Sequence, residues 1–140
     1  MITSKSTIVV NANKQKVWDA LTKPEFVKQW QYGSDLLTDW KVGSDIRFRI
    51  EWDNEVFEQW GKILEIIPNE LIKYSLFFPR PDLEDKEENY FIMSYIISEF
   101  KNAIKLEIVK EDNRSGVVKE KENNEENPIL IALKEIIEKN

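Results

Sequence analysis

The side chains that could do chemistry in this sequence are few in kind. The chain has no cysteine and no histidine. A thiolate nucleophile, a thiolate metal site and a disulfide are therefore excluded. So are the commonest metal ligand and the commonest general base at neutral pH. Carboxylates, tyrosines, serines, threonines and lysines remain. A buried carboxylate with a raised pKa could act as a base, but no pair of Asp or Glu residues falls on the inward positions of one strand pattern. The densest acidic run, Asp82 to Glu88, lacks the Asp-x-Asp-x-Asp-Gly order of a calcium loop and reads as a solvated loop. Gly33, Gly43, Gly61 and Gly116 form no phosphate-cradling loop, and no G-x-S-x-G elbow is present. No catalytic residue, no metal and no cofactor is expected.

Aromatic side chains are the more informative set: five Trp, seven Phe and four Tyr. Such residues bury the most area each, and they line most small-molecule pockets. Trp30, Trp40, Phe48, Trp52, Tyr74 and Tyr90 are candidates for a cavity wall, with Ile50 beside them and Ile129 and Leu133 facing them from the last helix. Ordinary core packing is the competing reading for each. Tyr74 and Tyr90 sit in strand patterns, and a buried tyrosine hydroxyl takes a hydrogen-bond partner from backbone, water or ligand. Trp18 and Phe26 read as structural, joining helices to the sheet. Arg47, Arg49 and Glu51 alternate opposite Phe48 and read as cross-strand charge pairs, with Glu58 or Lys62 as partners.

These residues need elements to hold them. Thr3 to Val10 is a strand, stopped by Asn11-Ala12-Asn13. Lys14 to Leu21 is a helix with Val17, Trp18 and Leu21 on one face, and Pro24 opens a second short helix through Trp30. Ile46, Phe48, Ile50 and Trp52 alternate with charged residues, the pattern of a strand with one wet face. Asp53-Asn54 is a two-residue turn into a strand from Glu55 to Ile66, whose mixed parity predicts a bulge near Gly61. Strands follow at Leu71 to Phe78, Tyr90 to Ile97 and Ala103 to Val109. Asp112 to Asn127 is polar and reads as a solvated loop or a frayed helix start. Pro128 to Glu138 is the last helix, with Ile129, Leu130, Leu133, Ile136 and Ile137 in one stripe. The order β-α-α-β-β-β-β-β-α predicts an α+β fold in which a curved antiparallel sheet is covered by the C-terminal helix.

Three stretches carry a family resemblance: KVWDALTKPEFVKQW from Lys16, DWKVGSDIRFRIEW from Asp39 and GKILEIIPNELIKYS from Gly61. Together they resemble the domain of the activator of the ninety-kilodalton heat-shock chaperone's ATPase (AHSA-type). That family lies in the START-like (SRPBCC, birch-pollen-allergen-like) superfamily. The resemblance runs from about Ser6 to Val109. It implies a helix-grip fold: six or seven antiparallel strands around a long C-terminal helix, two short bracing helices, and an apolar cavity between sheet and helix. It implies no shared catalytic residues. The chain departs from the family in having no aromatic after Phe100 and in the polarity of Arg114 to Asn127.

One domain over residues 1–140 is expected from the length. The formal charge of -6 argues against nucleic acid. No apolar run approaches a membrane span, and MITSKSTIVV lacks the form of a secretory signal, so the cytoplasm is the expected location. The leading functional expectation is a non-catalytic module that binds an apolar or amphipathic small molecule. The second is a protein-interaction domain, as a homodimer or through a chaperone contact implied by the kinship. The third is a cyclase- or hydrolase-like enzyme using a cavity carboxylate or tyrosine. If Asp82 to Glu88 lies at the cavity mouth, it could serve as a lid.

Overall fold

The computed structural model describes residues 2–31, 33–112, 114 and 128–139, with the Trp52 and Pro128 side chains outside that set. Strand β1 (Ile2–Val10) leads to helix α1 (Lys14–Thr22). Asn13 caps that helix, its side chain accepting the Lys16 backbone N–H at 2.9 Å. Lys23 precedes a proline and is held extended, which ends α1 and lets Pro24 open α2 (Pro24–Trp30). The two helices bury Val17, Ala20, Leu21, Val27 and Trp30. The Trp30 indole N–H donates to the Ala20 carbonyl at 2.8 Å and locks α2 onto α1.

The rest of the chain is a meander: β2 (Asp35–Thr38), β3 (Asp45–Trp52), β4 (Glu55–Ile67), β5 (Leu71–Leu76), β6 (Phe91–Phe100) and β7 (Ala103–Asp112), followed by α3 (Pro128–Lys139). All neighbours are antiparallel, in the order β1-β7-β6-β5-β4-β3-β2. The tight turn at Asp53-Asn54 takes φ of 53° and 63°, the left-handed pair that a two-residue hairpin needs. The concave face gathers Ile8, Val10, Ile46, Phe48, Ile63, Ile72, Tyr74, Tyr95, Ile97, Ile104 and Leu106 in one core with Leu130, Leu133 and Ile137 of α3. The element order predicts this curved antiparallel sheet covered by the C-terminal helix, and the family resemblance implies its helix-grip form.

Three details differ from the sequence reading. A seventh strand, β2, precedes β3; its four residues are too few to show a period. The bulge expected near Gly61 lies at Leu64, between Ile63 and Glu65. Ile63 faces Tyr74 and Ile66 faces Ile72, so the extra residue puts both isoleucines on the inner face and resolves the mixed parity. Asp112 is not part of a solvated loop: it ends β7 and is only 4% exposed. The predicted polar segment beyond it lies outside the described residues, apart from Arg114.

Candidate functional site

A pocket of about 450 Å³ lies between the concave sheet face and the start of α3. Its volume is that of a small-molecule site. Trp30 comes from α2, Phe48 and Ile50 from β3, Gln59 from β4, Tyr74 and Leu76 from β5, Tyr95 from β6, and Ile129 and Leu130 from α3. Among the described residues, the lining includes no Asp or Glu. The described polar groups on the wall are hydroxyls, amides and the Lys110 ammonium.

At the centre of the wall, the Tyr74 and Tyr95 hydroxyls form a hydrogen bond of 2.6 Å. Their rings meet edge-on, with centroids 5.6 Å apart. Phe48 packs on Tyr74 and Trp30 packs edge-on to Tyr95, so both phenols are fixed in place. Burial pushes the Tyr95 hydroxyl up to about 12. Burial, and then the neighbouring Tyr95, push Tyr74 well above its ordinary value. Both are therefore neutral phenols at physiological pH. Their folded-state pKa values are raised, so their contribution to stability is complete below the unfolded value of 10.0 and is lost as pH rises through the folded values. Denaturant titrations across this range should show wild type losing about 1.4 kcal/mol per pH unit for each tyrosine relative to Tyr74→Phe/Tyr95→Phe. Parallel curves for the two proteins would show that the phenols are not held neutral by the fold.

Beyond the lining, the end of β7 is charged. Arg114 grips Asp112 with two side-chain bonds, at 2.9 and 2.6 Å. Lys110 stands 3.7 Å from the same carboxylate. Burial alone would raise the Asp112 pKa, but the Arg114 bonds and the two cations outweigh it and hold the carboxyl below its usual value. The cations also stack on the Phe91 ring, Lys110 at 4.7 Å and Arg114 at 4.6 Å from its centre.

The profile of the family described as "Activator of Hsp90 ATPase homolog 1-like protein" (AHSA1) matches residues 11–134. The chain belongs to this family. No curated protein matches the chain by sequence. Among solved structures, ChR145 from Cytophaga hutchinsonii is 30% identical over 83% of this chain and 80% of its own, with a TM-score of 0.70. The Aha1 dimer from Colwellia psychrerythraea is 18% identical over 84% of this chain and 81% of its own, at a TM-score of 0.61. Ara h 8.0201 shares 10% identity but covers 99% of this chain and 98% of its own, at a TM-score of 0.69. The last two likenesses are of fold.

In this AHSA1-family chain the pocket brings together Trp30, Phe48, Ile50, Tyr74 and Ile129 of the residues singled out from sequence. Leu133 is fully buried in the core beneath α3 and is not on the pocket wall. Trp40, with φ of 56°, packs half-buried against the core away from the wall. The Trp52 side chain lies outside the described residues. Tyr90 is corrected: it belongs to a separate cluster on the convex face. It stacks on Phe77, which packs under Trp60. Asp85 accepts from the Trp60 indole at 3.1 Å and from the Tyr90 hydroxyl at 2.5 Å. The acidic loop is thereby pinned to the convex face, and a lid over the pocket is not its place. The reason is parity: inward positions on β6 are Phe91, Met93 and Tyr95, and Tyr90 precedes them out of phase. Sequence reasoning missed Tyr95, which that same two-residue period could have found. Arg47 pairs with Glu58 at 3.1 Å on the convex face, as the alternation predicts.

Proposed function

We propose that this domain, residues 1–140, encloses an apolar or amphipathic small molecule between its sheet and α3, and that it does so without catalysing a reaction. The observation that carries this reading is the 450 Å³ pocket, walled by Trp30, Phe48, Tyr74 and Tyr95 with a few placed polar groups. Family membership and the shared fold with Ara h 8.0201 support a ligand-holding container. Against catalysis, the described wall offers no carboxylate base, and its two central phenols are held neutral. The cysteine-free, acidic composition suits a cytoplasmic location.

Native mass spectrometry of the purified protein beside its denatured mass tests the reading. A mass excess that disappears on denaturation is the expected result. No excess, together with no amide shift changes on titration with small apolar probes, would sink it. The same spectra read the second proposal, a homodimer, which the kinship to the Colwellia Aha1 dimer favours. Contact with a chaperone rests on family membership alone; no binding in a pull-down, together with no change in the chaperone's ATPase rate, would dismiss it.

A further inference from the structure

The tyrosine pair has a proton to spare. Two phenols carry two hydroxyl protons, and the mutual bond uses one. Among the described residues neither oxygen has another hydrogen-bond partner. Tyr74 is 2% and Tyr95 4% exposed and both line the pocket, so the second proton is available to what the pocket holds. A buried donor without an acceptor is unfavourable, and a ligand that supplies one gains what the site lacks.

The acceptor's charge can be read from the register. Tyr95 pairs with Ile108, and Lys110 lies two residues further along β7, opposite Met93. That is about 7 Å along the strand. Lys110 is also held by Phe91 and Asp112. An anion seated at the hydroxyls would have a single neutral donor, and the described cation on the wall, Lys110, is already engaged by Asp112, which makes the burial costly. A neutral oxygen meets the donor without that cost. We propose that the Tyr74–Tyr95 hydroxyl pair is the polar anchor of the pocket, selecting ligands with a neutral oxygen acceptor, such as a ketone, on an otherwise apolar body. This rests on the ligand-binding reading of the same pocket and adds the chemical class of the ligand.

Indanone and indane share a ring skeleton and differ by a carbonyl in place of a methylene. The test is their affinity ratio, from amide NMR titrations of wild type and of Tyr74→Phe/Tyr95→Phe. Removing both hydroxyls together leaves no orphaned partner, so the variant should fold. The preference for indanone over indane should fall about tenfold in the double variant, with indane affinity changed by less than about twofold. Each single variant should keep the preference, because the remaining hydroxyl then donates to the ligand. An unchanged ratio in the double variant overturns the anchor while leaving the pocket reading intact. Failure of both probes to bind wild type removes the pocket reading, and the anchor with it. A second measurement needs no variant: the infrared carbonyl stretch of isotope-labelled indanone bound to wild type should lie below its value in a hydrocarbon solvent. A stretch at the hydrocarbon value overturns the anchor.

Discussion

Gly61→Ala should destabilise the fold by about 3 kcal/mol or more, the upper end of what overpacking costs. A Cβ at Gly61 would lie 1.8 Å from the Ser75 carbonyl oxygen and 2.5 Å from its carbon. Both are backbone atoms, so no rotamer change relieves the clash. β4 and β5 would have to part in the interior of the sheet. Gly61 is not among the positive-φ glycines, so the cost is steric and not conformational. Denaturant unfolding should show a much lower midpoint at an unchanged slope. A midpoint within error of wild type would mean the strands do not approach so closely. The effect reaches the pocket too, since Leu76, beside Ser75, is on its wall. Ligand occupancy should fall along with stability.

Leu133→Ala should cost about 2–5 kcal/mol, the range for deleting a fully buried leucine side chain. Leu133 has no exposed surface and sits in the core shared by sheet and helix. Ile129, one turn earlier on α3, is half-buried and faces the pocket. Ile129→Ala should cost only about 1–2 kcal/mol, because less apolar area leaves water on folding. Binding should show the reverse order. At a temperature where both variants are folded, Ile129→Ala weakens an apolar probe more than Leu133→Ala does. Equal stability losses, or a larger binding loss from Leu133→Ala, would contradict this division of one helix into a structural and a recognition half.

The fold was legible where a period ran long enough to speak. Ile46 to Trp52 alternate over a full strand, and Leu130, Leu133 and Ile137 keep one helical face. Asp35–Thr38 could not be read, because four residues with adjacent leucines carry no alternation. The site was legible in part for the same reason. Trp30, Phe48, Ile50 and Tyr74 lie inward on elements whose phase is clear. Tyr95 lies inward on β6 while Tyr90, just before the strand, falls out of phase, and the loop hides where the strand begins. The Trp60–Asp85 bond that holds the loop on the convex face joins residues 25 apart. No local pattern announces a contact of that kind.

The pairing of β1 with β7 has a consequence in time. Ile2 pairs with Asp112 and Val10 with Ile104, so of these seven strands the one made first is seated by the one made last. During synthesis the β3–β4, β4–β5, β5–β6 and β6–β7 hairpins can close in turn from neighbouring segments. β1 must wait with its ladder unmet until β7 has left the ribosome. Closing so long a loop costs entropy before any bond returns it, and such topologies fold slowly. Until then the nascent chain carries an unpaired strand edge, open to the same segment of a neighbouring copy.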